Sequence, residues 1–200
     1  MNNRGFTLVE MIVSLALFSV VAVIAIGALL KVIDANNKAQ SIQSAVTNIN
    51  FALESMSRDL RTGTGIQCLS SVPTSSTLPN GTSACTIGSS NNIIAFYSTR
   101  INTTDSPACG HGLITVYAFA GSPVSLQKAE QTSCLQTGYS FSDLISSTDI
   151  AITGYELGVL YNSPSSYPLA FIRITGNAGN RAKDQTFVDL ETAVSSRSQL

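Results

Sequence analysis

Cys109-Gly110-His111-Gly112 sets the chain's only histidine two residues from a cysteine, the one spacing that could place a thiolate beside a base. Nucleophilic catalysis needs that base within hydrogen-bond reach and a third group to orient it. Glycines on both sides of His111 spell a turn instead. The single His excludes a multi-histidine metal site. None of the four cysteines, Cys68, Cys85, Cys109 and Cys134, forms a C-x-x-C pair, which argues against zinc-ribbon and thioredoxin-type chemistry. G-x-x-x-x-G-K-[ST], G-x-S-x-G and H-E-x-x-H are absent, and the Asp residues are too scattered for a calcium loop. The expectation is a chain that is not an enzyme, with no cofactor and no metal.

The cysteines read better as structure. They are even in number, separated by 17, 24 and 25 residues, and all lie in the second two-thirds of the chain. That pattern predicts two disulfides formed in an oxidising compartment. Three pairings are possible, and the sequential one, Cys68–Cys85 with Cys109–Cys134, is expected. Closing loops of this size stabilises a fold by about 3 kcal/mol each in the chain-entropy view. Free buried thiols, inert in a core, are the alternative.

A carboxylate in an apolar setting is the other residue that must have a role. Residues 11–30 read MIVSLALFSVVAVIAIGALL, with no charge between Glu10 and Lys31. Twenty helical residues span roughly 30 Å, the thickness of a bilayer's hydrocarbon core. A cleavable signal peptide would have a shorter apolar stretch and a small-residue site after it. Leu29-Leu30-Lys31-Val32 offers none. Glu10 stands at the edge of this span, where carboxylates are rare and usually paired or functional.

Directly before the span stands Arg4-Gly5-Phe6-Thr7-Leu8-Val9-Glu10. This RGFTLVE start ahead of about 20 apolar residues resembles the type IV pilin-like family, which includes type IV pilins, type II secretion pseudopilins and competence pseudopilins. The resemblance covers only about the first 30 residues. It implies cleavage by prepilin peptidase between Gly5 and Phe6, N-methylation of Phe6, and a part for Glu10 in assembly. It also implies a single-pass protein of the bacterial inner membrane, head outside the cytoplasm, later carried into a periplasmic or extracellular filament. The implied partners are other pilin or pseudopilin subunits, the peptidase, an inner-membrane assembly platform, and membrane lipid before assembly.

These residues need a scaffold. Beyond the span, Ala35, Ala39, Ile42, Val46, Ile49, Leu53, Met56 and Leu60 recur at spacings of four and three, an apolar stripe on one helix face. Asp34–Lys38 and Glu54–Arg58 are i,i+4 pairs in the favourable order. No proline interrupts residues 6–60, and Gly63 is placed to end the helix as a C′ residue. The stripe fits docking on the chain's own sheet better than a free coiled coil, because dense flanking charge pairs are missing. Family heads embed this half-helix in the same way, the resemblance implies.

After residue 62 Ser, Thr and turn residues become abundant, and strands are predicted over 93–98, 113–119, 124–129, 155–161, 169–175 and 187–194. Gly121-Ser122-Pro123 reads as a tight connection and 176–180 as a longer one. No helical pattern separates the strands, so the sheet should be antiparallel. The fold class is α+β, a long amino-terminal helix packed on an antiparallel β-sheet head. The divisions are 1–5 as leader, 6–62 as helix with 11–30 transmembrane, and 63–200 as head.

Lys and Arg number 11 against 12 Asp and Glu, a formal charge of -1, which argues against a nucleic-acid partner. Hydrophobic residues at 44% argue against disorder. The strand order and the closing TFVDLETAVSSR are similar to larger minor subunits of the J-type pseudopilin or W-type minor pilin kind. The expected function is a structural subunit, minor pilin or pseudopilin, of a type IV pilus-like or type II secretion filament. The alternative is an anchored or tip-exposed binding module for adhesion or DNA uptake, although Arg100, Lys128, Arg173, Arg181, Lys183 and Arg197 are too dispersed to form a basic patch.

Overall fold

The fold is that of a computed structural model in which residues 6–73, 84–88, 90–98, 112–131, 138–145, 150–161, 167–179 and 185–197 are described. It divides into two compact units, Met1–Gln40 and Ser41–Leu200. Helix α1 (Leu8–Thr62) supplies nearly all of the first unit and the opening of the second. Its 55 residues contain no proline, so nothing removes a backbone donor from its interior.

In the second unit α1 buries Ala45, Ile49, Ala52, Leu53, Met56 and Leu60. These recur near the 3.6-residue period, and each fully buried Ile, Leu or Met contributes about 1.5–3 kcal/mol. The predicted stripe extended further up. Ala35 and Ala39 are exposed and belong to the first unit, whereas Ala45 and Ala52, on the same helix face as Ile49, join the core.

Among the described residues eight strands follow: β1 (Thr64–Leu69), β2 (Ile93–Ser98), β3 (Leu113–Ala120), β4 (Ser125–Glu130), β5 (Ser142–Asp143), β6 (Ile150–Leu160), β7 (Leu169–Ala178) and β8 (Thr186–Ser195). They form two sheets, not one: β1-β2-β3-β4-β5 and β6-β7-β8. Every pairing is antiparallel. The larger sheet has two apolar faces. Ile94, Phe96, Tyr117, Phe119 and Leu126 enter the main core with α1 and the smaller sheet. Ile93, Ala95, Tyr97, Ile114, Val116 and Ala118 form a second cluster on the reverse face, against Leu69, Val72, Tyr139 and Phe141. Strands buried on both faces read as continuous apolar runs. β7 instead alternates regularly because its outer face meets solvent.

Three boundaries differ from expectation, each at a glycine. Gly63 does not adopt the left-handed conformation of a C′ cap; that falls to Gly65, with φ 64°. The Gly63 N–H donates to the Asp59 carbonyl at 2.9 Å. A Cβ on Gly63 would stand 2.4 Å from the Phe96 ring, so close approach to β2 is what requires glycine here. β6 begins five residues early because the ladder continues past Gly154 through a register shift between Ile152 and Gly154. Gly176 lies inside β7, paired with Ile152 and Val188, where a Cβ would meet the Ala151 carbonyl at 2.7 Å.

Candidate functional site

The amino-terminal site begins at Phe6, three-quarters exposed; Gly5 lies outside the described residues. Thr7 caps α1, its hydroxyl accepting the Glu10 N–H at 3.3 Å while its carbonyl accepts from Met11. Glu10 therefore sits in the first turn, where a carboxylate complements the free N–H groups and the helix dipole. Its side chain is exposed, and among the described residues no cation pairs with it.

Beyond Glu10, large apolar side chains from Met11 to Ile33 lie on every side of α1 and all of these are exposed. The Ser14 and Ser19 hydroxyls donate to the carbonyls of Glu10 and Leu15, each at 2.8 Å. Such back-bonding satisfies the hydroxyls inside an apolar segment without a partner. The helix is long and apolar enough to cross a membrane, and every backbone donor after the first turn is satisfied within it, as a lipid environment demands. Exposed apolar surface of this extent is far more than a water-soluble surface carries.

In the second unit Cys68 and Cys85 are joined by a disulfide with Cα atoms 6.0 Å apart, a normal separation for a bridge. Cys68 lies in β1, at the edge of the larger sheet. Cys85 pairs with Val159 of β6, exchanging N–H···O bonds of 3.0 and 3.1 Å. The bridge thus fastens the two sheets together. Beside it the Tyr161 hydroxyl donates to the Ile66 carbonyl, and burial pushes the Tyr161 pKa up to about 12. Phe119 of β3 stacks on Tyr155 of β6 with ring centroids 4.4 Å apart, a further link between the sheets. Cys109, His111 and Cys134 lie outside the described residues, and with them the second predicted disulfide and the Cys-His pair.

The sequence reading missed a charged cluster that holds α1 to the larger sheet. Asp59 Oδ2 accepts from the Tyr117 hydroxyl at 2.6 Å and from Lys128 Nζ at 2.7 Å. Lys128 also pairs with Glu130 at 2.6 Å and stands 5.6 Å above the Tyr117 ring. Burial, then the Asp59 acceptor, holds the Tyr117 phenol far above its usual pKa. Burial alone would lower the Lys128 pKa, but hydrogen bonds to Asp59 and Glu130 outweigh it and the net shift is upward. These residues are 58 and 69 positions apart in sequence, so no local pattern announces them. The cluster has no metal-binding geometry: among the described residues no group of three His, Cys, Asp or Glu side chains could hold an ion.

The carboxy-terminal end is tied to the same place. Arg197 N–H donates to the Arg61 carbonyl at 2.9 Å, and the Ser196 hydroxyl donates to the Gly63 carbonyl at 2.9 Å. The Arg61 carbonyl in the last turn of α1, and the Gly63 carbonyl just beyond it, are thereby satisfied by the residues that follow β8, in place of a glycine cap.

Residues 1–26 match the prokaryotic N-terminal methylation motif. No curated protein and no solved structure matches the chain.

Proposed function

We propose that this chain, with a prepilin-type methylation motif of the type IV pilin-like family at its start, is a structural subunit of a type IV pilus-like or type II secretion filament, a minor pilin or pseudopilin. The carrying observation is that α1 leaves its large apolar residues exposed on all sides from Met11 to Ile33, with one carboxylate, Glu10, at the start. In the membrane, lipid would cover that surface; in a filament, the same segment of other subunits would.

Prepilin peptidase would cut between Gly5 and Phe6, leaving Phe6 as a methylated cationic amine. Glu10 is four residues on, about 6 Å along the helix. Among apolar helices an unpaired carboxylate is strongly disfavoured, and a neighbouring subunit's amino terminus would offset that cost while setting the axial register. The second unit, with its disulfide-joined sheets, would be carried outside the cytoplasm, where such bonds persist.

The test is intact-mass measurement of protein from its native host together with the Glu10→Leu variant. Loss of residues 1–5 and a methyl group on Phe6 are expected. Glu10→Leu should leave membrane insertion and cleavage unchanged and remove the chain from sheared filaments. A mature chain beginning after Leu30 would refute the reading, as would normal incorporation of Glu10→Leu for the part given to that residue.

A further inference from the structure

We infer that the second unit carries two complementary surfaces through which successive copies of this chain contact each other, α1 of one copy against the outer face of β6-β7-β8 of the next. The inference rests on the filament reading above and names a contact between heads that the amino-terminal helices do not supply.

The first surface is on α1. Phe51 is 66% exposed, unusual for an aromatic residue in a segment whose other side is fully buried. At 3.6 residues per turn it lies about 150° around the helix from the stripe centred on Ile49, Ala52 and Met56. Thr47, Glu54 and Arg58 flank it, all exposed, with Arg61 one turn on. Glu54 and Arg58 neutralise each other across 3.0 Å, so the strip ends with one excess positive charge at Arg61.

The second surface is the solvent face of the smaller sheet. Leu160 opposes Leu169, and Gly158 opposes Phe171, which in turn opposes Ala193. Ile87 covers Gly158, its Cγ1 only 2.7 Å from where a Cβ would stand. Ile87, Leu160 and Leu169 are 46%, 44% and 40% exposed, so one end of this face is a shallow apolar patch. The next row along the sheet is charged: Glu156 opposes Arg173, which opposes Glu191. Asp189 holds Arg173 through two hydrogen bonds of 2.9 and 2.6 Å. Three carboxylates against one guanidinium leave a formal excess of two negative charges beside the patch.

The two surfaces therefore match in kind: an aromatic anchor with a basic end, and an apolar patch with an acidic border. Both face away from the shared core, and they are different surfaces. Contacts between unlike patches on one molecule do not close as a two-fold dimer; they propagate into rings or helical arrays. Each contact is small, so it is weak between free heads. It becomes effective when the membrane-spanning helices already hold copies at millimolar local concentration.

The experiment places a photo-crosslinking side chain by Phe51→p-benzoylphenylalanine in the full-length chain, expressed in its native host. Irradiation of intact filaments should give an adduct at twice the subunit mass, with the linked peptide containing Leu169 or Phe171. Arg61→Glu in that background should weaken the adduct about fivefold, the equivalent of one rim ion pair, and adding Glu191→Arg should restore it. Near-ultraviolet circular dichroism of the tyrosines reports that each variant is folded. Filaments without this adduct, or with Phe51 linked to a different protein or another face, overturn the interface and leave the filament reading standing. Absence of both Gly5-Phe6 cleavage and filaments overturns the two together.

Discussion

Asp59→Ala is the substitution that most directly tests how α1 is fastened to the larger sheet. Asp59 accepts from two donors, the Tyr117 hydroxyl at 2.6 Å and Lys128 at 2.7 Å. Lys128 keeps Glu130 at 2.6 Å, so its charge is not orphaned. Tyr117 is 1% exposed, so its hydroxyl is shielded from bulk water, with the Ser55 hydroxyl beside it. Leaving such a donor without its carboxylate costs about 1–3 kcal/mol. Losing the partly exposed ion pair adds only a few tenths to about 1 kcal/mol, since that side of the cluster is wet. The total expected is about 2–3 kcal/mol. For a domain of this size that corresponds to a melting temperature lower by roughly 4–12 °C. Tyr117→Phe should cost about 1–1.5 kcal/mol, because Asp59 retains Lys128. The double variant should cost little more than Asp59→Ala, the signature of coupled partners. Near-ultraviolet circular dichroism in detergent is the assay, read from the six tyrosines since the chain has no tryptophan. A loss below about 0.5 kcal/mol for Asp59→Ala, or strict additivity in the cycle, would refute this account.

The same cluster sets an alkaline limit. Tyr117 and Lys128 both have folded pKa values raised above their ordinary 10.0 and 10.5, so their contribution is complete below about pH 10 and is lost as pH rises through the folded values. Melting temperature should be level from neutral pH to about 9 and fall above 10, and Tyr117→Phe should flatten that fall. Cys68→Ser with Cys85→Ser opens a loop of 17 residues and should cost about 3 kcal/mol. In that variant hydrogen exchange at the Val159 amide, bonded to the Cys85 carbonyl, should accelerate more than at the Ile172 amide in the central strand; equal protection of both would disprove the strapping role. Gly63→Ala drives a Cβ to 2.4 Å from Phe96 and should destabilise by about 1–3 kcal/mol through overpacking, whereas unchanged melting would mean that β2 gives way freely.

Much was legible without coordinates because it is local. The charge-free run over 11–30 and the carboxylate at Glu10 are contiguous sequence, and hydrophobic solvation alone assigns them a setting. The stripe from Ile49 to Leu60 followed from helical period, and β7 and β8 from period-two alternation, since each has one solvated side. β1 was missed because Gly63 and Gly65 flank its start and break the pattern, and β6 was cut short at Gly154 for the same reason. The division into two sheets was invisible, since alternation reports which residues face inward but not which strand lies beside which.

Sequence by itself determined the apolar amino-terminal helix, the placement of Glu10 in its first turn, the α+β class and most strand positions. Only tertiary structure decided that Cys68–Cys85 joins two sheets, that Asp59 meets Tyr117 and Lys128, and that Gly63 yields its place to Phe96. The reason is the range of the forces involved. Helical and strand periods arise from bonded geometry repeated every few residues, and so are written locally. A disulfide, a partly buried carboxylate and a ring against a glycine depend on positions brought together from 17 to 69 residues apart, and their energy exists only once the core has closed around them.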